Sequence, residues 1–153
     1  MSALAAIRPD EWELPLFFHV LGAMVLVGTL VLAITYFVAA RRGSADAARL
    51  GFRTLQLGVI PSYFVMRIAA QWLASEEGVE DSDAAWVTIG YIATDIGLLC
   101  LLIATIAAGL GSRRAKLTPG GSLGPGPTIA LALGGVLLVA YVVAIWAMAT
   151  KPV

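Results

Sequence analysis

Four apolar stretches, each long enough to cross a bilayer as a helix, constrain this chain more than any other feature. They run approximately over residues 14–40, 52–74, 84–110 and 128–150. A hydrocarbon core takes about 20 helical residues, whereas barrel strands are shorter and alternate polar with apolar residues. With 59% hydrophobic and 13% charged residues, the chain also lacks the polar surface of a water-soluble globule. We therefore predict an all-α, four-helix transmembrane bundle forming one integral membrane domain, residues 1–153.

The charges between these stretches predict the orientation of the bundle. Seven of the ten basic residues fall in the first and third connections: Arg41, Arg42, Arg49, Arg53, Arg113, Arg114 and Lys116. Loops rich in arginine and lysine stay in the cytoplasm, so both termini are expected outside, an N-out/C-out arrangement. Four tryptophans near the predicted outer ends agree with this: Trp12, Trp72, Trp86 and Trp146.

The usual signatures of an enzyme are absent from the sequence. Cys100 is the single cysteine, so the chain can form no internal disulfide and offers no thiolate metal cluster. There is no glycine-rich phosphate loop, no pair of carboxylates within a span, and no nucleophile with a recognisable base. Nothing assigns a reaction, and we do not expect an enzyme.

Three ionisable residues inside the spans need a physical explanation. A charge at the centre of a membrane helix costs about 2.5–3.5 kcal/mol, so Arg67 and Asp95 are expected to pair with each other. Counted from the predicted outer ends, they lie at depths of roughly 10 and 16 Å at about 1.5 Å per residue. His19, the single histidine, enters from the same side. We predict a polar cluster of these three residues in the outer half of the bundle.

Helical spacing extends this cluster. Two polar stripes, spaced at three and four residues, are predicted to face each other on consecutive helices: Tyr63, Arg67 and Gln71 on one, and Thr88, Tyr91 and Asp95 on the other.

Glycines and a proline modify the predicted helices. Pro61 lies inside the second span, where its missing N–H predicts a kink. Gly22, Gly28, Gly134 and Gly135 are predicted to let the first and fourth helices approach their neighbours closely.

Several segments of the chain resemble a known family. HVLG in the first span, ARR after it, PSYFVMRIAAQW and DSDAAWVTIGYIATDIGLL are similar to uncharacterised bacterial four-span membrane proteins whose first helix carries a Leu/Phe-His-Val-Leu-Gly motif. This resemblance covers most of the chain and implies a bacterial inner (plasma) membrane. More distantly, the histidine-bearing first helix is similar to copper-resistance D type proteins and membrane-bound protoporphyrinogen oxidases, some associated with haem or copper. Of that wider pattern this chain matches His19, and it has no second histidine.

Three functional interpretations follow. In the first, the protein is structural or accessory and binds no cofactor, and a satisfied network fixes helix packing. Its members are His19, Arg67, Asp95, Tyr63, Gln71 and Tyr91. In the second, the same cluster serves a small transporter, channel or proton path. Asp95 is then the proton or cation site, Arg67 its counter-charge and His19 the group nearest the mouth.

The third interpretation is haem b or another metal between the helices. His19 would be one axial ligand, Met66 or Met24 the other, and Arg67 would face a propionate, since imidazole and thioether are haem ligands. As partners we expect the lipid bilayer and a second copy or larger membrane complex, which a pore would need because four helices enclose little room. Nucleic acid is not expected.

Overall fold

The structure, a computed structural model, describes residues 13–78, 85–117 and 123–150. Four helices occupy these ranges: Glu13–Arg41, Ala45–Glu77, Ala85–Leu117 and Gly126–Ala149. All four are long and apolar enough to cross a membrane, and no strand occurs in the described ranges. The predicted all-α fold with four candidate spans is therefore confirmed.

Successive helices run in opposite directions, which gives the bundle two chemically different ends. We call the end that carries Arg41, Arg53 and Arg113 the arginine end. The other is the tryptophan end, which carries Trp72, Trp86 and Trp146, whereas Trp12 lies outside the described residues. Most of the acidic run from residue 76 to 83 also lies outside the described ranges.

The second and third helices extend further at the arginine end than predicted. The second begins at Ala45 instead of near residue 52, and the third continues to Leu117 instead of ending near residue 110. Arg49 and Arg53, which the hydropathy pattern places in a connection, therefore lie on a helix, as do the basic residues of the third connection. The hydropathy pattern marks only the apolar part of a helix. Main-chain hydrogen bonding continues both helices beyond that part, through residues that are polar.

Local contacts explain why the second helix begins early. The Ala47 amide donates to the Ser44 hydroxyl at 3.2 Å, an N-terminal cap that satisfies an otherwise unpaired N–H. Arg49 then reaches across to donate to the Ala115 carbonyl at 3.2 Å near the end of the third helix. The first of the predicted basic loops is thus mostly a capped helix that is bonded to its neighbour.

A short π-helical turn, Leu55–Val59, interrupts the second helix just before Pro61. The Ile60 amide donates to the Leu55 carbonyl, five residues back, and the proline nitrogen has no hydrogen to donate. The Ser62 hydroxyl donates to the Gly58 carbonyl at 2.7 Å, which supplies a bond within the disturbed turn. The predicted irregularity at Pro61 thus takes the form of a π turn.

The middle of the bundle is a tightly packed apolar core. Its most completely buried side chains come from all four helices: Leu26, Leu30, Ala33, Phe37, Leu55, Val59, Leu101 and Leu137. These side chains fill the space between the helices, so among the described residues the cavities at the tryptophan end are separate from the one at the arginine end.

Two of the four glycines predicted at helix contacts do lie at them. A methyl group on Gly22 would stand 2.8 Å from the Met66 nitrogen, so the first and second helices touch there through their main chains. A methyl on Gly134 would stand 3.2 Å from the Ile34 side chain. For Gly28 and Gly135 the prediction is wrong, because no neighbouring atom lies within 4 Å of that position.

The four helices pack as two pairs toward the tryptophan end. The Ile60–Glu77 part of the second helix packs against the first helix, and the third helix packs against the fourth. Direct main-chain contact between Ile60–Glu77 and the third helix is sparse. This separation leaves a gap that side chains must bridge.

Candidate functional site

Four polar side chains bridge the gap between the second and third helices, and we call them the Arg67 cluster: Arg67, Gln71, Tyr91 and Asp95. The Arg67 guanidinium donates to the Gln71 amide oxygen at 3.2 Å and to the Asp95 carboxylate at 3.4 Å. Its central carbon lies 5.0 Å from the centre of the Tyr91 ring, within cation–π range. The Tyr91 hydroxyl lies 3.4 Å from the same Gln71 oxygen.

The Arg67 cluster lies on the surface of the bundle and not around its axis. The side chain of Arg67 is 26% exposed and that of Asp95 is 65% exposed. Ile92 and Ile96, the neighbours of Asp95 on the third helix, are also exposed. The ion pair therefore flanks an exposed apolar surface and does not line a central pore.

Beneath the cluster, Tyr63 makes the buried bond between the same two helices. Its hydroxyl donates to the Thr94 carbonyl at 3.1 Å, and both residues are buried. The Thr94 hydroxyl in turn donates to the Gly90 carbonyl at 2.9 Å on its own helix. Tyr63 thus connects the Arg67 cluster to the packed core.

His19 joins the first helix to the second, not to the ion pair. Its Nδ1 lies 3.3 Å from the Met66 carbonyl oxygen. A carbonyl can only accept a hydrogen bond, so Nδ1 carries the proton, and in the neutral ring Nε2 is left as an acceptor. The hydrogen bonds found among the described residues include none from His19 to Arg67 or Asp95.

A cavity of about 100 Å³ lies between the separated helices at the tryptophan end, and we call it the vestibule. His19, Met66, Arg67, Tyr91, Thr94 and Met148 are among its lining residues. Three members of the predicted polar cluster, His19, Arg67 and Tyr91, therefore border a common space, whereas Asp95, Tyr63 and Gln71 do not line it.

The residues predicted as haem ligands lie on the first and second helices. His19 and Met66 approach each other through the His19 Nδ1 and the Met66 carbonyl oxygen, and both residues line the vestibule. Met24, the other predicted ligand, is 69% exposed. Within the described ranges, no group of three or more histidine, cysteine, aspartate or glutamate residues could hold a metal ion.

Tyr141 of the fourth helix is a site residue that the sequence analysis missed. Its hydroxyl is buried and has no hydrogen-bond partner among the described residues. The ring fits there because Gly97 lacks a side chain; a methyl at that position would stand 3.0 Å from the Tyr141 oxygen. The available signal was a hydroxyl within an otherwise apolar span, a group that must find a partner or a cavity.

Comparison of the chain with protein-family models, with curated proteins and with solved structures finds no match.

Proposed function

We propose that this chain is a structural or accessory multi-pass protein of a bacterial inner membrane, in which the Arg67 cluster fixes helix packing at the tryptophan end. The proposal rests on one observation, that polar side chains bridge the gap between the second and third helices. Where the main chains of the second and third helices separate, Arg67, Tyr63 and Tyr91 make the bonds that hold them. Polar groups paired in this way satisfy one another and restrict the helices to one arrangement.

The proposed orientation has the arginine end in the cytoplasm and both termini outside. Asp95 lies 18 residues from Arg113, about 27 Å at about 1.5 Å per residue. A hydrocarbon core is about 30 Å thick. With Arg113 at the cytoplasmic boundary, Asp95 therefore lies about 3 Å inside the outer boundary of that core, close to the water and headgroups beyond it.

Cysteine labelling tests this orientation. In a Cys100→Ala background, Ser44→Cys lies at the arginine end and Ser75→Cys at the tryptophan end. A membrane-impermeant maleimide applied to intact cells should label Ser75→Cys alone. Labelling of Ser44→Cys instead would reverse the proposed topology.

The energetic role of the cluster is tested by comparing Arg67→Gln with Asp95→Asn. Exposed ion pairs contribute about 0.2–1 kcal/mol, and a cation–π contact about 0.5–1 kcal/mol. Because Arg67 makes both contacts and Asp95 makes one, Arg67→Gln should lower the free energy of unfolding by about 1–2 kcal/mol and Asp95→Asn by less than about 1 kcal/mol. Thr35→Val is the matched control, because that exposed hydroxyl bonds only within its own helix.

A proton or cation path is the competing function for the same residues. The packed core and the surface position of Asp95 argue against a path through one bundle. Purified protein in proteoliposomes should therefore show no flux above that of empty vesicles. A flux that Asp95→Asn abolishes would replace the structural proposal with transport through an oligomer.

Haem binding is tested on the same purified sample. An absorption spectrum recorded before and after dithionite should show no Soret band, and a metal assay should find no bound iron or copper. A Soret band that shifts on reduction and is lost in His19→Ala would make His19 a haem ligand and overturn the proposal.

A further inference from the structure

A groove in the side of the bundle, at the tryptophan end, lies apart from the Arg67 cluster. This opening, which we call the side groove, has a volume of about 640 Å³, within the range of about 300–1,000 Å³ that is typical of small-molecule sites. Its walls are mainly aliphatic and include Leu16, Val20, Val27 and Ile145. The side chains of Val20, Met24 and Ile145 are also exposed on the outside of the bundle. A ligand with an apolar body can therefore enter the groove from the bilayer.

Glu77 is the one charged side chain that lines the side groove among the described residues. It is the last residue of the second helix. His19 also lines the groove, and its neutral ring, with the proton on Nδ1, brings no positive charge. Arg67 lines the vestibule but not the groove, and its guanidinium donates to Asp95 at 3.4 Å. The groove is therefore an apolar space with one negative charge at its border.

The other groups that line the side groove also favour a positive charge. The indole of Trp86 borders it, and the face of a tryptophan ring attracts cations more strongly than that of tyrosine or phenylalanine. Met24 and Met148 add thioethers, which are soft and polarizable. A neutral acyl chain gains nothing from the Glu77 carboxylate or from the indole face, whereas a cation gains from both. The lining thus distinguishes a cationic ligand from a lipid tail.

The cation that fits the side groove is a bulky organic ion and not a metal ion. One carboxylate among aliphatic walls cannot replace the oxygen ligands that hard metal cations require. Within the described ranges, no group of three or more histidine, cysteine, aspartate or glutamate residues could hold a metal. The cost of taking an ion out of water falls as its radius grows, so an ion whose charge is spread over several apolar groups enters such a groove more readily.

We propose that the side groove binds a lipophilic organic cation. The apolar body lies between the first and fourth helices, and the positive charge lies near Glu77 and Trp86. This binding site is distinct from the Arg67 cluster and goes beyond the structural role proposed above, which does not depend on it. Binding alone is proposed, without transport.

Equilibrium dialysis with tetraphenylphosphonium tests the proposal. The purified full-length protein in phosphatidylcholine nanodiscs is compared with empty nanodiscs, so that partition of the ion into lipid is subtracted. At about pH 8, where imidazole is neutral, the protein should bind the cation saturably. Tetraphenylborate, an anion of the same shape, should show no saturable binding. Absence of saturable cation binding would overturn the proposal, and an equal Kd for the two ions would overturn it by assigning the groove to any apolar body, such as a lipid tail.

Two neighbouring glutamates provide a matched pair of variants. Glu77→Gln should raise the Kd for tetraphenylphosphonium at least about fivefold, equivalent to about 1 kcal/mol. Glu76→Gln should leave the Kd unchanged, because Glu76 accepts a hydrogen bond from Trp72 and lines neither the groove nor the vestibule. An unchanged Kd in Glu77→Gln would overturn the proposal. Equal weakening in both variants would do the same, because it would assign the binding to the acidic surface in general.

Two glycines test the location of the ligand without changing any charge. Gly28 lines the side groove and Gly135 does not, and neither has a neighbouring atom within 4 Å of an added methyl group. Gly28→Leu fills part of the groove and should raise the Kd at least about threefold. Gly135→Leu adds the same volume elsewhere and should leave the Kd unchanged. An unchanged Kd in Gly28→Leu would place the bound cation outside the groove and overturn the proposal.

Discussion

Replacing Gly22 by alanine should destabilise the bundle, although alanine is the better helix former. The added methyl would stand 2.8 Å from the Met66 nitrogen and 2.9 Å from its Cα. Carbon atoms in contact prefer about 3.5–4.0 Å, so the two helices must separate locally by about 0.7–1 Å. Neither atom belongs to a flexible side chain, and the strain therefore falls on the main chains.

The size of the effect follows from two opposing contributions. Overpacking lowers the free energy of unfolding by about 1–3 kcal/mol, whereas replacing a helical glycine by alanine raises it by about 1 kcal/mol. We expect Gly22→Ala to lower the free energy of unfolding by about 1 kcal/mol. Gly28→Ala on the same helix meets no neighbouring atom within 4 Å, so it should raise that free energy by about 0.5–1 kcal/mol.

Reversible unfolding in mixed micelles, followed by circular dichroism, measures the difference between these two variants. The reasoning would be refuted if Gly22→Ala were as stable as Gly28→Ala, because the close approach of the helices would then cost nothing. The same separation should also weaken the bond between His19 and the Met66 carbonyl, which is already 3.3 Å long.

Three smaller effects should appear in the same unfolding measurement. Ser44→Ala removes the cap of the second helix and should lower the free energy of unfolding by about 1 kcal/mol. Tyr63→Phe removes the bond to the Thr94 carbonyl and should cost about 0.5–1.5 kcal/mol; no loss would mean that this bond does not hold the two helices. Asp46→Asn breaks an exposed ion pair with Arg49 and should change stability by less than about 0.5 kcal/mol, so a larger loss would contradict its solvent exposure.

Much of the fold could be predicted because lipid imposes simple rules on sequence. A span must be long and apolar, so the four helices could be recognised in the sequence as long apolar stretches. A charge in a span must find a partner, so the pairing of Arg67 with Asp95 could be predicted from the sequence alone. The helical extension through Arg49 could not be found by hydropathy, because its stability comes from a cap and a cross-helix hydrogen bond.

The remaining features of the site depend on contacts that side-chain patterns do not encode. His19 bonds to a main-chain carbonyl, and every residue carries one, so its partner could not be identified from spacing. The surface position of Asp95 depends on how the third helix is rotated, which the packing of the whole bundle decides. Tyr141 could not be identified from the sequence, because it is distinguished by a buried hydroxyl that has no hydrogen-bond partner among the described residues.

The π turn before Pro61 controls the direction in which the outer part of the second helix points. One residue of an α-helix corresponds to a rotation of about 100°, so deleting a single residue from Leu55–Val59 would turn Tyr63 and Arg67 away from the third helix. Arg67 lies nine residues beyond Gly58, about 14 Å along the axis at about 1.5 Å per residue. The extra residue of the π turn therefore sets the direction in which the side chains of the Arg67 cluster point. Deleting one residue there would break the contacts of the cluster without changing any of its members.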